Sequence, residues 1–308
     1  MIAVMITMVA AIFGVVLGSF VNAFVWRLRI LENPSEVKIK EVKKPSQVKN
    51  NVSSRAKSRD LLAQAIGANT PDYSILRGRS MCPNCKHTLA AKDLVPIFSW
   101  LALKGRCRYC REPISWQYPL VELLTGLLFA VSCAAWPHGL GAGKWLLLGL
   151  WLIFVVFFMA LAVYDARWYE LPDRVVYPLT ILAALYVVVK AVSLHDWSIL
   201  WSAIFAAAII FGLFWLIFQV SQGRAIGGGD VKLAVTLGLL AGDPLNALLL
   251  IFLASFIGTL ISLPAVLLAK RGVKALVPFG PFLLSAVFLV VLWGDTVFDS
   301  WLNKLLLP

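Results

Sequence analysis

The sequence predicts an all-α polytopic membrane protein of about eight transmembrane helices carrying one small cytoplasmic lobe. Three observations predict it. Of the 308 residues, 60% are hydrophobic and the mean hydropathy is +0.83, whereas a soluble domain is apolar over roughly half its residues. The apolar residues gather into runs long enough to cross hydrocarbon, which takes about 20 residues of helix. The cations gather too: 18 of the 28 lysines and arginines lie between Arg27 and Arg111.

The apolar runs cover 2–26, 118–137, 145–164, 175–194, 198–220, 230–242, 244–268 and 278–294. The first, "MIAVMITMVAAIFGVVLGSFVNAFVWRLR", has no cation before its apolar stretch and two just behind it. That is the reverse of a secretory signal, so the run is expected to stay as a helix. Its Gly18-Ser19 end suits close helix packing. The sixth run is shorter than a span unless Ala225 to Gly229 contribute, which leaves its register open.

Orientation follows from the lysines and arginines. From Arg27 to Glu112 the 18 cations face seven acids, leaving +11 of the chain's +12. The positive-inside rule places this segment in the cytoplasm, with the N-terminus outside. Alternating from there, Arg167 with Arg174, Arg224 with Lys232, and Lys270, Arg271 and Lys274 all fall inside. The loops at 137–143 and 195–196 fall outside and are nearly free of cations. The chain is thus expected to cross its membrane many times, with the basic segment on the cytoplasmic side.

Four regions follow: a first helix (1–26), a basic linker or insertion (27–79), a cysteine-bearing lobe (80–116) and a multi-helix membrane domain (117–308). The stretch 31–76 is rich in lysine and serine with no lasting apolar period, a composition suited to a tether, with a short helix over 59–66. Its cations suit anionic headgroups. Membrane lipids are therefore the expected partner of this run, and nucleic acid is not.

The lobe is sharper. "CPNC" and "CRYC" set Cys82, Cys85, Cys107 and Cys110 as two C-x-x-C pairs, the spacing of two knuckles that close a tetrahedral zinc site. A reducing cytoplasm argues against disulfides; a redox pair is the rival. The expected fold is zinc-ribbon-like, with structural Zn2+ as cofactor. His87 is an alternative ligand, and Cys133, alone in an apolar run, reads as a core residue.

Ionisable groups in or beside spans are costly and so point to function. Here the carboxylates are Glu122, Asp165, Asp173 and Asp230. Asp165 ends the third run and Asp230 opens the sixth, so the topology puts both at the cytoplasmic edge. Two carboxylates brought together there cannot both ionise: one keeps its proton as a general acid while the other activates water. Such a pair suits peptide hydrolysis with neither metal nor serine. Gly227, Gly228 and Gly229 stand directly before Asp230. Glycines accept positive φ and leave backbone bare, so a substrate strand would lie there, or the loop would bend to carry Asp230 towards Asp165. A helix cap by Asp230 is the plain alternative.

Taken together, "GSFVNAFVWRL", the two C-x-x-C pairs around "PIFSWLALKGRC", "PISWQYPLVELLTG", "YDARWYELPD", "GGGDVKL" and "VPFGPFL" resemble the bacterial type IV prepilin peptidases, bifunctional leader peptidase and N-methyltransferase enzymes of the GxGD aspartic protease class. The resemblance implies Asp165 and Asp230 as the catalytic pair and Asp173 as the non-catalytic acid of its loop, a Pro-Asp pair that reads as a cap. Gly227, Gly229, Asp173 and Lys232 are the supporting residues. It further implies prepilin or pseudopilin substrates, a short basic leader cut on the cytoplasmic side, and methylation of the new N-terminus from S-adenosylmethionine. Gly105 and Glu122 are its candidates for methyl-donor binding. The insertion 31–76 departs from the family's shorter link. A basic leader also meets a segment of like charge, which shared headgroups or Glu122, Glu170 and Asp173 must offset. A proton-coupled transporter and a zinc-bearing scaffold are the rival readings; the first would show repeated halves, and no repeat is visible.

Overall fold

The structure, a computed structural model, describes residues 2–33, 80–139, 141, 144–268 and 277–306. The insertion beyond residue 33, its expected helix over 59–66 and the cations at 270, 271 and 274 lie outside the described residues. Nine α-helices are described. α1 is Ile2–Glu32, α2 Phe98–Ala102, α3 Gln117–Ala134, α4 Lys144–Trp168 and α5 Asp173–Leu194. α6 is Ser198–Ser221, α7 Gly228–Ala241, α8 Pro244–Leu268 and α9 Gly280–Leu306. Among the described residues there is no strand, only the isolated bridges Met81–Thr88 and Arg106–Pro113.

Seven helices are long and apolar enough to cross a membrane, and the chain is a multi-pass membrane protein. The remaining apolar run, the sixth at 230–242, is α7, whose 14 residues reach only about 21 Å at the helical rise. Glycine bounds it at both ends. Gly227 is its N-cap, and Gly242 closes it at φ 81, a left-handed value that suits glycine. α1 and α9 each run past the apolar stretch that the sequence marks.

The chain forms two compact units, Met1–Val21 with Val121–Pro308, and Asn22–Leu120. In the first unit the short α7 is packed by α5, α6, α8 and α9. Helices in lipid gain little from hydrophobicity, so close van der Waals packing and hydrogen bonds must hold them. α6 accordingly turns Ala203, Ala206 and Ala207 inward, and Gly238 of α7 lies so near that a Cβ there would stand 2.3 Å from Ala207 Cα. Thr180 and Thr236 join α5 to α7 through their hydroxyls at 2.7 Å. α4 supplies the large core residues Trp151, Phe154 and Tyr164, with the Trp151 indole donating to Ser132 of α3 at 3.0 Å. Outward faces such as Ile181, Trp201, Phe252 and Leu260 are exposed and apolar, as lipid contact requires.

α1 crosses α3 on small residues. A Cβ at Gly14 would lie 2.8 Å from Phe129 Cβ, and one at Gly18 would lie 2.7 Å from Glu122 Cα. The small-residue packing expected near Gly18 is what the structure contains.

Candidate active site and metal centre

Asp165 sits in the last turn of α4, buried to 6% exposure. The helix ends just beyond, because Tyr169 adopts φ 58 and Leu171-Pro172 cannot continue it. The Asp165 Oδ2 accepts the backbone N–H of Gly280, the first residue of α9, at 3.0 Å. Asp230 is the third residue of α7 and is half-buried. Its carboxylate lies beside the backbone of Gly227, the N-cap of α7, and interacts with it electrostatically. The two carboxylates interact electrostatically. The structure thus brings together the two acids singled out from the sequence, Asp165 held by a backbone N–H at the start of α9 and Asp230 in the first turn of α7.

The glycine triplet works differently from the expectation. Gly227 has φ −73, and among the described residues the positive-φ glycines are Gly105, Gly139, Gly223 and Gly242. The reversal of the chain before α7 falls to Gln222 and Gly223, at φ 52 and 73, ahead of the triplet. What the triplet supplies is space. A Cβ on Gly229 would stand 2.9 Å from Leu171 Cβ, so this glycine lets α7 close against the loop that follows Asp165. A Cβ on Gly228 would meet only Phe218 Cε2 at 3.8 Å, and one on Gly227 only Asp230 Oδ2 at 3.5 Å. Both are ordinary contacts.

The Asp173 cap is also corrected. The N-cap of α5 is Pro172, with no side-chain cap bond. The Asp173 carboxylate instead receives Lys232 Nζ on both oxygens at 2.8 Å, tying α5 to α7. Lys232 also lies 5.7 Å above the Tyr177 ring. Both partners are substantially exposed, and such pairs contribute about 0–1 kcal/mol.

In the second unit the four cysteine sulfurs lie within 4.8 Å of one another. The two knuckles repeat one construction. Cys82 N–H donates to the His87 carbonyl and Lys86 N–H to Cys82; Cys107 N–H donates to Glu112 and Arg111 N–H to Cys107. The residue after each second cysteine turns left-handed, Lys86 at φ 58 and Arg111 at φ 61. Four sulfurs around one zinc at about 2.3 Å would be about 3.8 Å apart, and Cys82 and Cys110 Sγ lie 3.9 Å apart. The cluster fits a metal ion. Burial pushes the Cys82 thiol well up, whereas at Cys107 burial is outweighed by the backbone N–H groups of Cys110 and Tyr109, and the thiol is held down. His87 stacks on Tyr109 at 3.7 Å and stands outside the cluster.

Three residues that the sequence reading passed over matter here. Gly280, within the quoted "VPFGPFL", was signalled by a glycine and proline at the head of an apolar run. Leu171 carries no chemical signal. Asp93 was counted only as an acid, yet it accepts Arg108 Nε at 2.7 Å, Tyr109 Oη at 3.1 Å and the Ala90 N–H at 3.3 Å. Burial works to raise its carboxyl, but these donors outweigh burial and hold it below the usual range. It thereby fastens the second knuckle to the turn at Ala91–Asp93.

Of the methyl-donor candidates, Gly105 adopts φ 67, and a Cβ on it would meet the Trp100 ring at 2.9 Å. Glu122 is buried at the α1–α3 crossing. They belong to different units.

The comparisons with known proteins bear on both units. A family model described as the bacterial peptidase A24 N-terminal domain matches residues 12–136, and one described as the type IV leader peptidase family matches 152–263. A prepilin leader peptidase/N-methyltransferase of Aeromonas hydrophila is 31% identical over 297 residues, 96% of this chain and 93% of that protein. Proteins of the same name from Stutzerimonas stutzeri and Pseudomonas aeruginosa are 32% and 30% identical. The first covers 96% of this chain and 93% of itself, the second 94% and 91%. No solved structure matches. Similarity that runs through both family models in order, over almost the full length of several relatives, shows that the chain belongs to the type IV leader peptidase family.

Proposed function

We propose that this chain is an intramembrane aspartic endopeptidase that cleaves the leader of type IV prepilins or pseudopilins and then methylates the new N-terminus. The observation that carries the reading is that Asp165 and Asp230 lie near enough to interact electrostatically, each at the end of a helix in a chain of apolar spans.

The chemistry follows from two neighbouring carboxyls, one charged and one protonated. The charged one takes a proton from water as the water oxygen attacks the scissile carbonyl carbon. The protonated one gives its proton to the carbonyl oxygen. As the C–N bond breaks, the proton first taken from water passes to the departing nitrogen, and the carbonyl oxygen returns its own. Leu171 and Gly229 hold the two sides of the pair together. Lys232 and Asp173 set the start of α7 against α5.

The concentration of cations between Arg27 and Arg111 supports a cytoplasmic site in the inner membrane. Exposed Glu170, between the two aspartates in sequence, is suited to meet a basic leader, as are shared anionic headgroups. In the lobe, Cys82, Cys85, Cys107 and Cys110 would hold Zn2+, whose contribution is structural. The name of the relatives supports S-adenosylmethionine as methyl donor, with Gly105 and Glu122 as candidates for its site, although both also have packing reasons to be where they are. The domain division proposed is 1–26, 27–79, 80–116 and 117–308.

The test is co-expression with a prepilin, reading the mass of its N-terminus. Asp165→Asn and Asp230→Asn should each leave the leader uncut while the enzyme inserts normally. Wild-type cleavage by either variant would end the dyad reading.

A further inference from the structure

We propose that Gly280 is a positioning residue for leader cleavage. Its backbone N–H holds one oxygen of Asp165, leaving the other oxygen for the proton transfer. The inference rests on the dyad reading above and adds a partner to it.

The first turn of α9 leaves little choice of donor. Helices begin with N–H groups that have no partner inside the helix. Pro281 has no N–H at all. Phe282 and Leu283 both turn theirs to the Phe279 carbonyl, at 3.1 and 3.2 Å. From Gly280 to Leu283, only the Gly280 N–H is directed at a side chain, and that side chain is Asp165, at 3.0 Å in a buried setting. Proline at 281 therefore selects the donor.

Glycine is needed for the approach. A Cβ at 280 would lie 2.6 Å from Asp165 Oδ2, closer than real Cβ contacts, and 3.1 Å from its Cγ, a tight one. Any side chain would push the carboxylate away from the N–H. A residue before proline is also sterically restricted through its Cβ, and glycine escapes that restriction at the helix start. α9 packs on α4, so the helix pair carries donor and acceptor as one body. With Oδ2 engaged, Oδ1 is the oxygen left to give or take a proton. A carboxylate free to rotate would present either.

Gly280→Ala should lower kcat about 10- to 100-fold, as misplacement of a reacting group by about 1 Å does. KM should change little, because the substrate contacts remain. The acidic limb of the kcat profile should be displaced, because the carboxylate has lost a hydrogen bond made to its charged form. Gly258→Ala is the packing control: its Cβ would press on Phe282 Cδ2 at 3.0 Å, disturbing α9 without adding an atom beside Asp165. It should leave the pH profile where it was. Should Gly280→Ala fail to insert, amide exchange at Gly280 decides the matter in better-folded proteins. Asp165→Ala should speed that exchange and Asp230→Asn should not. A Gly280→Ala enzyme with wild-type kcat and profile overturns the proposal, as does a Gly280 amide indifferent to Asp165→Ala. If instead Asp165→Asn and Asp230→Asn still cleave, the dyad itself has failed.

Discussion

At the scale of single residues, Gly229 and Gly227 are bare for different reasons, and their substitutions should part company. The missing side chain of Gly229 admits Leu171, whose Cβ is fixed to the backbone and cannot swing aside. Gly229→Ala should lower stability and also lower the initial cleavage rate at least about tenfold, near 1.4 kcal/mol in barrier. A methyl at Gly227 makes an ordinary 3.5 Å contact with Asp230 Oδ2. That should leave stability intact and slow cleavage by crowding the reacting oxygen. Gly228→Ala should resemble wild type in both. Cleavage rates per inserted enzyme and thermal unfolding in detergent measure the pair of effects. Equal, mild losses at all three positions would reduce the triplet to an ordinary flexible turn. The triplet was legible in the sequence as important, but its reason was not. Positive φ or a bare backbone for substrate was its expected purpose, whereas in the structure the missing side chain of Gly229 admits Leu171, far away along the chain.

At the scale of elements, the short α7 depends on its neighbours more than on itself. It is too short to span, and its glycine boundaries set that length. Among the contacts that fasten it, magnitude ranks two that lie within the helix. The Thr180–Thr236 bond is the lesser, since interhelical side-chain bonds in membranes average about 0.6 kcal/mol. The Gly238–Ala207 approach is the greater. A methyl there meets backbone at 2.3 Å, so α6 and α7 must separate, and overpacking of this kind costs about 1–3 kcal/mol. Gly238→Ala should therefore lower the unfolding temperature clearly more than Thr236→Val, and lower cleavage with it because Asp230 rides on α7. Equal small shifts would mean that α6 and α7 separate freely. The existence of the spans was readable from apolar runs. Their partners were not, because every long helix here is apolar on most of its faces and periodicity alone names no neighbour.

At the scale of the whole molecule, we propose that the cysteine-bearing unit serves methylation more than cleavage, and metal should separate the two activities. The purified chain should carry about one zinc ion, as expected of four thiolates closing one tetrahedral site. Cys82→Ser combined with Cys107→Ser should abolish it by elemental analysis and leave the lobe open to protease. Cleavage should survive better than methylation, because neither Asp165 nor Asp230 belongs to that unit. Metal-free protein after gentle purification, or cleavage lost in parallel with metal, would contradict this division of labour.

What the sequence by itself determined is chemistry that local patterns carry. Apolar runs longer than hydrocarbon is thick mark a multi-pass protein. Two C-x-x-C pairs announce a four-thiol cluster, because each knuckle needs only neighbouring residues to form. Acids at the edges of spans stand out because burying them is costly. Only the tertiary structure decided which groups hold those acids in place. Asp165 is held by Gly280 from a helix more than a hundred residues later, Asp173 pairs with Lys232 rather than capping its own helix, and Asp93 clasps a knuckle that it precedes. Each is a contact between segments that only packing brings together. A backbone N–H has no letter of its own in a sequence, so the donor that fixes Asp165 becomes visible only when α9 is laid against α4.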